Sequence, residues 1–472
     1  MARERGISID AVHRSTVLNI QPILSQAARV FGWLAGLSLS GMIFLIPFRT
    51  AWIWQLRTVP AVYSLYTSLV VYPSDYALVA ALAFWGLSLT CRPRAIRLRP
   101  VGLTLALAAL VGVAAVSTLS SVDRVYSLYQ SGRLILLFGL YVYLLNEVRS
   151  LWVIFAAAGA QVALQSWVAI GQILRQHSLG LTALHELNLD PAWSGVSVVV
   201  DGSLRSLRAY GLSEHPNILG GCLALALLLL LAWHLKIGAG WKLLSGGLVL
   251  TGATALFLTF SRSAWLGLAG GLVLFAGWLA ARRRWDALLQ TAVLGLACLI
   301  FLAPFAWQDA GLLGVRLGQN GSFLAATTEN QSINERVLLA RMAFDIFASH
   351  PLTGVGVGGF PEMMHLVSPH YPFNFQPPHQ VLLDLAAETG AFGALAYLAA
   401  LIFPWVALVI RRRRMRFSIE LAAVSAGVAA ISIISLLDYY PWILNPGQLW
   451  LWLLWGLWGK LFVDAQVEPA YE

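Results

Sequence analysis

NILGGCLALALLLLLAW, residues 217–233, runs for seventeen residues without a charge. An uncharged apolar run close to the roughly 20 residues needed to cross a bilayer as a helix reads as a membrane span. Lys236 and Lys242 follow it. Two further apolar stretches come next, joined by TFSRSAW (259–265) and closed by RRR at 282–284.

The pattern repeats outward in both directions. Over 472 residues the chain is 58% hydrophobic and only 11% charged, against roughly 25% charged residues in a soluble domain. An integral membrane protein built from helices follows. The net charge of +9 does not call for nucleic acid, because basic residues in such a chain first report topology. They cluster at Arg3, Arg5 and Arg14, at CRPRAIRLR (91–99), at Arg149, at Lys236 and Lys242, at 282–284, at RRRRMR (411–416) and at Lys460. These are every second gap between apolar runs, which the positive-inside rule assigns to the cytoplasm.

The alternation predicts twelve spans with both termini inside, at about 26–48, 74–90, 100–118, 127–146, 150–174, 214–234, 241–260, 262–281, 286–306, 380–410, 417–437 and 444–463. The expected class is an all-α polytopic membrane protein of about twelve transmembrane helices. Residues 1–306 hold spans one to nine, 307–379 form a large outer loop containing helices, and 380–472 hold the last three spans and an inner C-terminus. The first span is too long for a signal-peptide core and is expected to remain as an anchor. Cys91, Cys222 and Cys298 suggest neither a disulfide framework nor a metal site, and no fixed-period repeat is visible.

The outer side receives a mixed segment at 49–73, a loop at about 175–213 and the loop at 307–379, long enough to be functional. VSVVVDGSLRSLRAYGLSEHPN, residues 196–217, suggests a hairpin around its Asp-Gly pair. QSINERVLLARMAFDIFASHP, residues 331–351, reads as an amphipathic helix beside the membrane. The unusual polar clusters all fall on this side: RSLRAYGLSEHPN before the sixth span, TFSRSAW between the seventh and eighth, and PPHQ (377–380) before the tenth.

Structural roles compete with functional ones at each position. Arg262 sits at membrane depth, where charge is costly and functional by default, yet it can snorkel to the interface. Ser213 fits a helix cap and Pro216 a first helical residue. SINE, Ser332 to Glu335, has the form of a capping box. Arg341 and Asp345 are spaced to pair on one helix, whereas Arg336 has no obvious partner. GVGVGG (354–359) matches a dinucleotide fingerprint only in form, since no βαβ unit precedes it, and is expected to be a turn. His379 faces the outer water near several arginines, which would favour the neutral ring required of a base. Asp384 and Glu388, one turn apart, are candidates to orient it or the arginines.

These residues resemble the O-antigen ligase and polymerase superfamily of bacterial polysaccharide membrane proteins. His379-Gln380, nine residues, then Gly390 and Gly393 is similar to its histidine motif. RAYGLSEHPNILGG, LTFSRSAWLGL and SINERVLLARMAFDIFASHPLTGVGVGGF resemble three further stretches, over roughly residues 205–400. Ala394, after Gly393, departs from the ligase pattern.

The resemblance implies a glycosyltransferase of the bacterial inner membrane with a periplasmic active site. It would move O-antigen glycan from undecaprenyl diphosphate to a sugar hydroxyl of lipid A core, completing lipopolysaccharide and inverting the anomeric centre. His379 would be the general base, and Arg208, Arg262, Arg336 and Arg341 the diphosphate ligands, because guanidinium binds phosphate bidentately and stays charged. Neither a nucleotide nor a metal is required, and the partners are donor, acceptor and membrane lipids. Trp54, Trp193 and Tyr210 are candidates to stack on sugars. A polymerase or a protein-glycosylating relative would differ in acceptor. A secondary transporter also fits twelve spans, though neither repeated halves nor midplane polar groups support it.

Overall fold

The computed structural model describes residues 9–59, 61–148, 150–201, 204–308, 310–316 and 323–466. In chain order its helices are α1 (Ile9–Leu45), α2 (Pro73–Cys91), α3 (Val101–Ser117), α4 (Arg124–Glu147), α5 (Trp152–Arg175), α6 (Pro216–Lys236), α7 (Ala239–Leu258) and α8 (Arg262–Ala281). They continue as α9 (Trp285–Gln308), α10 (Ala310–Arg316), α11 (Phe323–Ser349), α12 (Phe360–Val367), α13 (Val381–Arg411), α14 (Ile419–Ser435), α15 (Tyr440–Ile443) and α16 (Asn445–Asp464). The protein is an all-α polytopic membrane protein. Lipid offers the backbone no hydrogen-bond partner, so each span satisfies its own amides as a helix.

Each of the twelve expected spans falls on a helix. Ten helices of the described residues are long and apolar enough to cross a membrane. The last two expected spans stand outside that set for separate reasons. α14 has only 17 residues, and α16 carries indoles whose polar N–H lowers its hydropathy. Trp450, Trp452, Trp455 and Trp458 of α16 are nonetheless buried. α6, the uncharged run, is the most enclosed span, packed by α5, α7, α8 and α14, whereas α9 lies at the periphery.

The outer segments add two small antiparallel ladders. The expected hairpin pairs β3 (Val198–Asp201) with β4 (Leu204–Leu207), its glycine lying outside the described residues. A second pair, β1 (Trp52–Gln55) with β2 (Leu69–Val71), was not anticipated in the mixed segment.

Two helix starts differ from the sequence reading. α6 is capped by His215, whose Nδ1 accepts the Asn217 backbone N–H at 3.1 Å. Ser213 instead donates from Oγ to the Pro47 carbonyl at 2.7 Å, tying the start of α6 to the end of α1. The SINE segment marks no helix start, because α11 begins at Phe323 and Glu335 falls well inside it.

The glycines of the histidine motif are a backbone device. Gly390 adopts φ 70°, ψ −172° within α13 and breaks its hydrogen-bond ladder. The loop after α11 fills the gap: Val355 and Gly356 donate to the carbonyls of Ala387 and Glu388 at 3.1 and 2.8 Å, and Ala391 donates to Pro351 at 2.8 Å. A Cβ on Gly390 would lie 2.3 Å from the Leu352 carbonyl oxygen. GVGVGG is thus a turn, with positive φ at Gly354, Gly356 and Gly358, latched to the helix that follows His379.

Candidate active site

The three outer polar clusters converge on one cavity of about 910 Å³, lined among others by Arg208, Arg262, Arg336 and His379. Each is delivered by an element end. Arg208 follows β4 directly. Arg262 is the first residue of α8, after a three-residue turn in which Phe260 takes a left-handed φ of 49°. That conformation is uncommon outside glycine and shortens the connection, which keeps Arg262 at the rim.

Arg208 is buried, and each of its three guanidinium nitrogens makes a hydrogen bond, which leaves two of its five N–H groups for a ligand. Its Nε donates to the Thr259 carbonyl at 2.7 Å, and its two terminal nitrogens donate to Ser197 Oγ at 2.8 Å and Asn217 Oδ1 at 2.6 Å. Asn217 in turn donates from Nδ2 to Asp438 Oδ2 at 2.9 Å. The other carboxylate oxygen of Asp438 lies 3.5 Å from Nδ1 of His379, an ion-pair distance at which the buried Nδ1 makes no hydrogen bond with the described residues. A chain from Arg208 through Asn217 and Asp438 therefore ends on the candidate base.

Asp438 occupies the turn between α14 and α15. Burial raises its pKa, but the His379 ring, Arg336 and His215 outweigh burial and hold it below the ordinary carboxylate value. The His379 ring also packs edge-on to Tyr439 with centroids 5.0 Å apart. Gln376, which donates to Glu335 Oε1 at 2.8 Å, brings that carboxylate to the same wall.

His215 is a second cavity imidazole with a different capacity. Burial, then Arg208, lower its pKa to about 3. Its Nδ1 lone pair is occupied by the helix N–H, so the neutral ring carries its proton on Nε2 and can only donate there. His379, with a carboxylate beside Nδ1, is arranged the opposite way, with Nε2 left as the acceptor.

Cations dominate the lining: Arg49, Arg208, Arg262, Arg316 and Arg336 are five guanidiniums against the three carboxylates of Glu214, Glu335 and Asp438. Burial lowers the pKa of Arg208, and Arg316 lowers it further, so an anion entering the cavity would relieve the crowding. Burial likewise raises the pKa of Glu214, opposed by Arg49. Among the described residues no group of three or more His, Cys, Asp or Glu side chains is placed to hold a metal ion.

Not every expected residue arrives. Arg341 is exposed, on the face of α11 turned away from its buried Leu339, Ala343 and Ile346, and does not line the cavity. Asp384 and Glu388 are fully buried on α13. Glu388 accepts the Phe360 backbone N–H at 3.4 Å, which fastens the glycine turn, and Asp438 takes the place beside His379 expected of them. Tyr210 lines the cavity with its hydroxyl accepting the Ser197 N–H at 2.6 Å, whereas Trp54 and Trp193 are exposed outside it.

Sequence reasoning missed Asp438, Arg49 and Arg316. Asp438 is a lone carboxylate at the outer end of the eleventh span, in LLDYYPW (436–442), and Arg49 is an arginine on the side where topology disfavours it. Both carried a usable signal.

Residues 246–398 match the family model described as O-antigen ligase. The matched segment contains Arg262, Arg336 and His379, while Arg208, Asn217 and Asp438 lie outside it. No curated protein matches the chain. That segment, which runs from the seventh span through the eighth and the large outer loop into α13, is similar to O-antigen ligases.

Proposed function

From that likeness as premise, we propose that the protein transfers a glycan from undecaprenyl diphosphate to a sugar hydroxyl of lipid A core at the periplasmic face of the inner membrane. The observation that carries the reading is the chain Arg208–Asn217–Asp438–His379 set in a cation-lined cavity.

The diphosphate lies among Arg208, Arg262 and Arg336, with Arg316 and Arg49 adding to the field. Nε2 of His379 takes the proton of the acceptor hydroxyl. The acceptor oxygen attacks the anomeric carbon from the side opposite the diphosphate, the glycosyl C–O bond breaks, and its electron pair leaves on undecaprenyl diphosphate. The configuration inverts. Asp438 fixes the Nδ1–H tautomer of His379 and stabilises the imidazolium that forms, as the carboxylate does in hydrolase triads. The arginines hold charge that grows on the leaving oxygen in a partly dry site.

Among the cavity lining, the apolar residues Ile218, Leu266, Leu437 and Leu444 suit the start of the isoprenoid tail. Leu266 is 55% exposed on α8, which gives the tail a route toward lipid.

Purified protein incubated with undecaprenyl-diphosphate glycan and lipid A core, with EDTA present, tests the reading on a gel. A shifted lipopolysaccharide band is the expected result. Longer lipid-linked glycan without that band would reassign the acceptor, and labelled uptake without conversion would replace transfer by transport.

A further inference from the structure

A second cleft, of about 660 Å³, opens at the other end of the bundle between α1, α2, α4 and α5. α1 fixes the two ends: Arg49, in the segment that leaves its C-terminus at Leu45, lines the active-site cavity, and Arg29, well inside the helix, lines this cleft. No step of the transfer reaction uses it.

The cleft is amphipathic along its length. Its mouth carries Arg29, Arg92 and Arg94 against the single carboxylate of Glu147. Glu147 is committed, accepting Arg94 Nε and a terminal nitrogen at 3.0 and 2.7 Å and the Trp85 indole N–H at 2.9 Å. The guanidiniums of Arg29 and Arg92 make no hydrogen bond or ion pair with any described residue. Among the described residues, nothing compensates these two guanidiniums at the mouth.

Behind the mouth the wall turns apolar and recessed. Gly32, Gly36 and Leu39 continue the same face of α1 at helical spacing. A Cβ on Gly36 would meet nothing within 4 Å, and one on Gly32 only Ser88 Oγ at 3.9 Å, so the glycines form a slot and not a packing contact. From Arg29 to Leu39 the helix rises roughly 15 Å, about half of the roughly 30 Å hydrocarbon core. The slot spans one leaflet.

We propose that this cleft binds one anionic phospholipid, its phosphate between Arg29 and Arg92 and one acyl chain along Gly32 and Gly36. The charge selects an anionic headgroup and the slot selects a chain, which together exclude a soluble anion and a zwitterionic lipid as equal occupants. Basic pockets between spans hold anionic lipids by the same combination of charge and burial.

Native mass spectrometry of the purified full chain in detergent, titrated with phosphatidylglycerol, tests this against phosphatidylcholine and inorganic phosphate. One phosphatidylglycerol should bind in preference, weakened roughly 30-fold by R29Q with R92Q and displaced by G36L, whose side chain fills the slot. Because Gly36 faces open space, G36L serves as the folded control if the arginine double variant proves unstable. Equal retention of phosphatidylglycerol by wild type and G36L overturns the proposal. So does equal binding of phosphatidylcholine, or binding of inorganic phosphate that the arginine variant abolishes without a change in lipid retention.

Discussion

Oδ1 of Asp438 lies 3.5 Å from Nδ1 of His379, although 59 residues separate them in the chain. The carboxylate is buried and its other oxygen is held by Asn217, so it is fixed before the substrate arrives. A carboxylate beside Nδ1 favours the proton there and leaves Nε2 as the basic nitrogen. Asp438→Asn should keep the fold and lower kcat by about 10³–10⁴-fold, because the amide can stabilise the wrong tautomer. KM for the donor should change little. A KM defect with kcat intact would assign Asp438 to binding.

Arginines inside and outside the cavity should separate in the same assay. Arg262→Ala and Arg336→Ala each remove a donor to the diphosphate and should cost about 10²–10³-fold in kcat/KM. Arg341→Ala, on the exposed face of α11, should remain close to wild type. Initial rates across a donor titration decide this, and a large Arg341 defect would bring α11 into the site by a different face.

The latch at Gly390 predicts a stability effect at a distance from the chemistry. Gly390→Ala places a Cβ 2.3 Å from the Leu352 carbonyl oxygen at a φ of 70°. The strained backbone alone should cost roughly 1–3 kcal/mol, and the turn at 354–359 should loosen with it. Thermal unfolding in detergent should show a lowered Tm, with faster amide exchange at Val355 and Gly356.

His215 makes stability depend on pH in a defined direction. Its folded pKa of about 3 lies below the ordinary 6.5, so between those values the unfolded chain binds a proton that the folded chain does not. Stability should therefore fall as pH drops from 6.5 toward 3, by at most about 1.4 kcal/mol per pH unit from this group. His215→Asn keeps a helix-capping side chain and should flatten that dependence, as read from Tm against pH.

The spans were legible because hydropathy and the alternation of arginine clusters act over long windows, and every expected span falls on a helix. The position of His379 and of three of the four expected arginines was legible because polar groups at the ends of apolar runs have few structural uses. What stayed hidden depended on helix phase and on contacts across the chain. Asp384 and Glu388 stand near His379 in sequence, but their phase on α13 buries them, with Glu388 against the glycine turn, while Asp438 reaches the ring from another helix end. Arg341 failed for the same reason, five residues from Arg336 and so on another face of α11. The capping pattern at Ser332–Glu335 misled because α11 starts earlier, and Glu335 became a wall of the cavity. The spaced glycines of the histidine motif were visible, but their use was not: a broken helix and a loop must meet before Gly390 has a purpose.

The most direct measurement is the transfer rate of folded His379→Ala protein, reconstituted with undecaprenyl-diphosphate glycan and lipid A core and normalised to donor bound. Loss of turnover with donor binding retained is the expected result, since the arginines remain while the base is gone. Turnover at the wild-type rate by well-folded His379→Ala protein would contradict the assignment of His379 as the base and move the chemistry elsewhere in the cavity.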